Sequence, residues 1–96
     1  MTVTIIWDTT VKEEFAVEGL KLNRKIWSDM TKFEGYMDHQ LLIDADNPAH
    51  FVIVSHWISR EIADHVLDIY KNEEPVRLLA PMLEGARKRN VFYEDD

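Results

Sequence analysis

Hydrophobic positions recur with two different periods along the chain, and the changes of period predict its secondary structure. Apolar side chains alternate along residues 2–8, which predicts a first strand. Thr10 and Glu13 then have the spacing of a capping box, so we expect a helix from about residue 11 to about residue 31. Gly35 follows this segment and suits the left-handed end of a helix.

The middle of the chain predicts a hairpin followed by a second helix. Two apolar runs, residues 36–44 and 50–58, are separated by the turn-forming sequence ADNP at residues 45–48, which favours an antiparallel pair. Ser59 is placed to cap the next helix at its N-terminus. The buried stripe of that helix is expected to consist of Ile62, Ala63, Val66, Leu67 and Tyr70.

A third helical stripe and a final strand complete the pattern. The stripe consists of Val76, Leu79, Met82, Leu83 and Ala86. Pro81 should kink or divide this helix, because proline lacks the backbone N–H that a helix interior uses. With a last strand at residues 90–94, the order is βαββα(α)β. This order predicts a ferredoxin-like α+β fold with an antiparallel sheet, formed by one domain over residues 1–96.

The hairpin is apolar on both of its expected faces. Helices cover only one face of such a sheet, so the other face must meet water or a partner. In the expected register one face carries Leu41, Ile43, Val52 and Val54, and the other carries Phe51, Ile53 and Trp57. For so short a chain, two apolar sheet faces predict a homodimer that forms through the sheet.

Composition excludes several classes of function. The net charge of -7 argues against nucleic acid as a partner, since the only basic cluster is ARKRN at residues 86–90. The absence of cysteine excludes disulfides, thiol nucleophiles and thiolate metal sites. The N-terminus has no signal-peptide pattern, and no apolar run approaches the roughly 20 residues of a membrane helix. We therefore expect a cytoplasmic protein without a membrane partner.

Two histidines are candidates for a paired site. If Ile43 faces Val52 across the hairpin, His39 faces His56 on the same side of the sheet. Directly opposite side chains lie close enough to share a proton, a water molecule or a metal. Two histidines alone are an incomplete metal site, so a hydrogen-bonded pair is the preferred interpretation and no metal site is predicted.

Aromatic residues and one further histidine are candidates for a ligand pocket. Trp57, Trp27 and Trp7 form either the aromatic walls of a pocket or ordinary core packing. Tyr70 is either a hydrogen-bond donor to a ligand oxygen or an amphipathic residue at the rim. His65, on the edge of the second helical stripe, is a candidate general base if it reaches the pocket and a solvated side chain if it does not.

Several of these segments together resemble the antibiotic biosynthesis monooxygenase-like family, which belongs to the dimeric α+β barrels. The matching pieces are EGY at residues 34–36, HWISRE at residues 56–61, and LLAPML followed by VFYE near the C-terminus. The resemblance implies a barrel made of two sheets, with a pocket between helices and sheet in each subunit. Some members oxygenate phenols, anthrones or quinols without a cofactor, because the deprotonated substrate itself reduces O2.

The resemblance also assigns expected roles to individual residues. Trp57 matches the family's pocket tryptophan. The polar residue that catalytic members place two or four positions earlier corresponds to Ser55 or Ile53 here. The haem-degrading branch needs an asparagine on the first strand, where Trp7 stands, and a helix histidine with which His65 is out of register. We therefore expect no cofactor, no tight haem binding and no structural metal.

The sequence thus favours a small-molecule-binding dimeric α+β barrel, of which a cofactor-independent monooxygenase is one form. Its ligand would be a small aromatic or quinone-like molecule. A non-catalytic ligand-binding or structural barrel is the alternative, and a haem-degrading enzyme is less favoured. His65 and Ser55 are the catalytic candidates. The substrate-binding candidates are Trp57, Trp27, Trp7, Tyr70 and Ile53.

Overall fold

A computed structural model describes residues 1–95 as a four-stranded antiparallel sheet with helices on one face. The strands are β1 (Val3–Thr10), β2 (Tyr36–Asp44), β3 (Asn47–Trp57) and β4 (Lys88–Tyr93), in the sheet order β2-β3-β1-β4. The helices are α1 (Ala16–Met30), α2 (Arg60–Tyr70) and α3 (Glu74–Leu79), with short 3-10 turns at Glu13–Phe15 and Ala80–Met82. The predicted ferredoxin-like α+β arrangement is confirmed. No helix in the described residues is long and apolar enough to cross a membrane.

The sheet has a helix-covered face and an outer face. Side chains alternate between these faces, and those that point to the helices form the core: Val3, Ile5, Phe51 and Ile53 are each at most 2% exposed. The outer face carries apolar side chains that no helix covers in this chain. These are Ile6, Leu42, Val52, Val54 and Phe92.

The register of the hairpin differs from the prediction by one residue. Ile43 pairs with Phe51, one position earlier on β3 than expected. The pairing is irregular between Ile43 and Asp44, next to a two-residue turn whose flanking side chains bond to the backbone. Asp44 accepts a hydrogen bond from the backbone N–H of residue 46, and Asn47 accepts one from that of residue 49. Leu41 and Ile43 therefore point to the helix side, whereas the expected register placed them on the same face as Val52 and Val54.

The predicted capping box at the start of the first helix is wrong. Thr10 is the last residue of β1, and α1 begins only at Ala16, with no side-chain cap on the 3-10 turn before it. The backbone N–H groups in between find other partners. Val11 donates to the carbonyl of Ala49 at 2.9 Å, and Lys12 donates to that of Met82 at 2.8 Å. Because these donors are satisfied by extended pairing, the chain does not need a capped helix there.

Two other local signals are confirmed. The Ser59 side chain accepts a hydrogen bond from the backbone N–H of Ile62 at 3.2 Å, which caps α2. Gly35 has a φ of 93° and is left-handed as expected, although it lies beyond the end of α1, whose C-cap is Thr31 in a right-handed conformation.

The last helical stripe is shorter than predicted. α3 ends at Leu79, and Pro81 lies in the 3-10 turn that follows, in agreement with its expected effect on the helix. Ala86, the last predicted member of the stripe, is exposed and lies outside any helix. The chain then enters β4 at Lys88, two residues earlier than predicted.

Candidate functional site

A cavity lies between the helix-covered face of the sheet and the helices. About 610 Å³ of space lies between its walls, counting the part that is open to solvent. The centre of a water molecule can move within only about 50 Å³ of that space, so the cavity is a narrow slot in this conformation. The sheet contributes Ile5, Trp7, Thr9, Ile53, Trp57 and Arg89 to the lining. The remaining lining residues are Asn23, Ile26, Trp27, Met30, Ala63, Val66, Leu67, Tyr70, Lys71, Val76 and Arg87.

The periodicity of each element explains why these side chains meet. On α1 the lining residues are 23, 26, 27 and 30, and on α2 they are 63, 66, 67 and 70. Both sets follow the spacing i, i+3, i+4, i+7, which places side chains on one face of a helix. On β1 every second residue, from Ile5 to Thr9, points to the same side. The slot is therefore walled by the innermost stripes of two helices and one sheet.

Trp57 is held in the wall from two sides. Its indole Nε1–H donates to the Ser55 hydroxyl at 3.1 Å, and that hydroxyl donates to the backbone carbonyl of Ile5, also at 3.1 Å. The ring of Tyr36 meets the indole edge-on, with centroids 5.8 Å apart. Ser55 is fully buried and is not among the lining residues. Its hydroxyl therefore positions Trp57 from behind the wall, which departs from the catalytic role predicted for Ser55.

His39 supports the opposite wall. Its ring lies against Trp27, with centroids 5.3 Å apart, and its Nδ1 is 2.6 Å from the Tyr36 hydroxyl. Burial lowers the pKa of His39, so the ring is neutral at pH 7. Trp27 lines the cavity, and His39 does not.

The predicted pairing of His39 with His56 is wrong. The one-residue change of register places His39 opposite Ser55 on the helix side, whereas His56 lies on the outer face and contacts Asp38. The two histidines therefore occupy opposite faces of the sheet. Within residues 1–95, no group of three His, Asp or Glu side chains is arranged to hold a metal ion.

A second histidine cluster lies on the outer face. His50 contacts two carboxylates: Nδ1 is 2.7 Å from Asp44 and Nε2 is 2.9 Å from Asp8. The hydrogen bonds to Asp44 and then to Asp8 raise the pKa of His50 above its usual value. Two carboxylates, one on each ring nitrogen, favour the protonated ring, in which both nitrogens donate, and the contacts join three strands.

Tyr70 lines the slot, and its hydroxyl proton already forms a hydrogen bond. It donates to Asp29 at 2.6 Å. Burial first, and then this hydrogen bond, raise the pKa of Tyr70 far above its usual value. The same bond, followed by that from Lys25, lowers the pKa of Asp29. Tyr70 therefore stays protonated at any physiological pH, and its oxygen is a hydrogen-bond acceptor for a ligand.

The structure does not bring His65 to the slot. His65 is exposed on α2 and lies outside the lining, although its neighbour Val66 is part of it. The helix rotates by about 100° per residue, which turns His65 away from the wall that Val66 forms. The expectation that His65 reaches the pocket as a base is therefore not met.

Sequence reasoning missed the polar residues of the lining. Asn23 is 2% exposed and donates from Nδ2 to the carbonyl of Gly19 at 2.8 Å, which leaves its amide oxygen as an acceptor. Arg87 and Arg89 stack on Trp7, with their guanidinium carbons 4.8 and 5.9 Å from the ring centroid. The available signals were an asparagine within an apolar helical stripe, and the ARKRN cluster beside the last strand.

Comparison with known proteins finds similarity in structure only. No family model matches the sequence, and no curated protein matches it. A variant of SnoaB, a cofactor-independent oxygenase from Streptomyces nogalater, superimposes with a TM-score of 0.84 at 16% identity, over 99% of this chain and 94% of that chain. A crystal structure of an antibiotic biosynthesis monooxygenase gives 0.79 at 20% identity, over 98% and 99%.

A conserved protein from Methanosarcina mazei Go1 is also similar, with a TM-score of 0.83 at 17% identity, over 99% of this chain and 94% of that chain. At such low identities a structural likeness shows the fold and not the activity. The resemblance seen in the sequence is thus confirmed at the level of architecture. The chain has the fold of the antibiotic biosynthesis monooxygenase-type proteins.

Proposed function

We propose that this protein binds a planar aromatic or quinol-type molecule in the slot, and that it oxygenates this molecule without a cofactor. The observation that supports the proposal most is the presence of all three tryptophans of the chain, Trp7, Trp27 and Trp57, in the lining of one cavity. Indole rings stack on flat electron-rich molecules, and a narrow slot selects such molecules over bulky ones. The shared fold with SnoaB, a cofactor-independent oxygenase, supports the reaction class.

The proposed chemistry requires no external reductant. A substrate carbon flanked by aromatic rings loses a proton, and the resulting anion transfers electrons to O2. One oxygen atom replaces the two hydrogens of that carbon as a carbonyl group, and the other oxygen atom leaves with those hydrogens as water. The apolar walls keep bulk water from the reactive anion. Asn23 and Tyr70 offer oxygen acceptors that orient substrate hydroxyl groups.

One observation favours a second candidate, a ligand-binding protein without catalysis. The described lining contains no histidine and no carboxylate. The hydroxyl of Tyr70 is held by Asp29, and Ser55 lies behind the wall. A substrate would therefore need to be acidic enough to lose its proton to water, because general-base catalysis requires a group within hydrogen-bond reach.

An oxygen-electrode experiment separates the two candidates. An anthrone is added to the protein, its binding is followed by tryptophan fluorescence, and its O2 uptake is compared with that in buffer. The oxygenase predicts uptake above the buffer rate that is lost in Trp57→Ala and retained in Lys21→Ala, which alters an exposed residue of α1 outside both the slot and the outer face. Binding without extra uptake would favour the non-catalytic protein. The absence of both would contradict a ligand site of this kind.

The outer face supports the proposal of a homodimer that forms through the sheet. Leu42 and Ile43 are adjacent on β2 and are 46% and 48% exposed, but Leu42 points to the outer face and Ile43 to the helix side. In sedimentation at micromolar concentration we expect a mass near twice 11.3 kDa. Leu42→Lys should shift this mass toward the monomer, and the matched variant Ile43→Lys should not. A monomeric unmodified protein would rule out the sheet-to-sheet dimer.

A further inference from the structure

Three cationic side chains line the slot, and only two of them are paired with a carboxylate. Lys71 lies 2.8 Å from Asp68, and Arg89 lies 2.8 Å from Asp64. Arg87 has no carboxylate within 4.0 Å among residues 1–95. The chain carries 18 acidic residues and a net charge of -7, so the lack of a partner for Arg87 is not due to a shortage of carboxylates.

The position of Arg87 makes an unpaired charge costly. Its side chain is partly buried at the wall, and burial lowers its pKa because the guanidinium has lost part of its water shell. The guanidinium still carries its charge at neutral pH, because its usual pKa is above 12. Partly buried charges are normally paired, so an unpaired one at the wall of a cavity is typical of a site completed by a ligand anion.

Stacking leaves the hydrogen-bond donors of Arg87 available. The guanidinium carbon lies 4.8 Å from the centroid of the Trp7 ring. The N–H groups of a guanidinium lie in its plane, so a ring packed against one face does not occupy them. In-plane donors form a fork that matches the two oxygens of a carboxylate. Trp7 therefore orients Arg87 and offers an aromatic surface beside it.

The chemistry of the slot decides what kind of anion fits. No histidine and no carboxylate belongs to the described lining, so the protein supplies no base that would ionise a weakly acidic ligand. A carboxylic acid is ionised at neutral pH without help, whereas a phenol is not. The aromatic walls favour a ligand in which the carboxylate is attached to a flat apolar ring system.

We propose that Arg87 anchors a carboxylate and that the ligand of the slot is an aromatic carboxylic acid. This inference rests on the proposed function and narrows its substrate class. The flat body lies between the tryptophans, and the carboxylate meets the N–H groups of the Arg87 guanidinium. Arg89 also lies near the Trp7 ring, but it is neutralised by Asp64 and does not compete for the anion.

The test compares two probes of nearly the same shape, 2-naphthoate and the neutral 2-naphthamide, by quenching of tryptophan fluorescence. A hydrogen-bonded ion pair predicts that the unmodified protein binds naphthoate about 10- to 100-fold more tightly. Arg87→Gln should abolish this preference and leave naphthamide binding within about twofold. Arg87→Lys, which keeps the charge but lacks the fork, should give an intermediate preference. Arg24→Gln, which removes one exposed arginine of α1, should preserve it.

The outcomes separate the two levels of the proposal. If neither probe binds the unmodified protein, the proposed ligand site is refuted, and the proposed role of Arg87 is refuted as well. If both probes bind equally, the site stands and the carboxylate anchor is refuted, whether or not any variant folds. Equal weakening of both probes in Arg87→Gln, with the circular dichroism unchanged, would assign Arg87 a purely steric role and also refute the anchor.

Discussion

The hydrogen bond between Ser55 and Trp57 holds the indole in the wall of the slot, and Ser55→Ala removes it. Ser55 is fully buried and accepts from the indole Nε1 at 3.1 Å. Trp57 is 3% exposed, so in Ser55→Ala its N–H loses its acceptor and gains no water. A buried donor left without a partner costs about 1–3 kcal/mol, and we expect that loss in the free energy of unfolding.

A double-mutant cycle shows whether this reasoning is right. Trp57→Phe keeps an aromatic ring but removes the N–H, so Ser55→Ala should cost at least about 1 kcal/mol less in that background. The assay is urea unfolding followed by circular dichroism. All four proteins are compared at one protomer concentration, because the stability of an oligomer depends on concentration. If Ser55→Ala costs the same in both backgrounds, the hydrogen bond does not hold Trp57 in the wall.

Three further predictions address other parts of the fold. Gly85→Ala should cost about 1–2 kcal/mol in urea unfolding from its positive φ alone. Gly35→Ala should cost more, because its Cβ would clash with the Ile62 side chain of α2, and equal costs would contradict the close packing there. The raised pKa of His50 means that its contribution to stability is complete below about pH 6.5 and is lost as the pH rises through the folded-state pKa. The stability gap between the unmodified protein and His50→Gln should therefore shrink with rising pH, and a gap independent of pH would show that the ring is not charged. Tyr70→Phe should raise the pKa of Asp29 in an NMR titration, since the hydroxyl is the main cause of its depression, and an unchanged pKa would refute that bond.

The hydrophobic periodicity and the turn residues predicted the architecture, but they did not predict the register of the β2–β3 hairpin. Ser59 fulfilled its predicted role because it bonds to a backbone group only three residues away. The position of His39 depended instead on the register of the hairpin, which changes at an irregularity of the pairing between Ile43 and Asp44, beside the turn. A shift of one residue moves every side chain of a strand to the other face, so a small error in the turn removed the predicted pairing with His56.

The aromatic part of the site was more predictable than its polar part. Trp57 and Trp27 lie on strand and helix positions whose inward direction follows from periodicity. Arg87 lies in the segment between the last turn and β4, which has no period, and its importance depends on the lack of a nearby carboxylate in three dimensions. Similarly, the buried state of Asn23 reflects packing between α1 and the sheet. Sequence patterns carry no information on such partners.

A planar aromatic ligand is titrated into the protein while the three indole N–H signals are followed by NMR. Trp7, Trp27 and Trp57 line one slot, so a ligand bound there lies close to all three rings. We therefore predict that all three signals shift together, with a single dissociation constant, and that the backbone signals of Leu42 and Phe92 on the outer face do not follow that curve. Shifts confined to the outer face, or three indole signals that stay unchanged at ligand saturation, would contradict the claim.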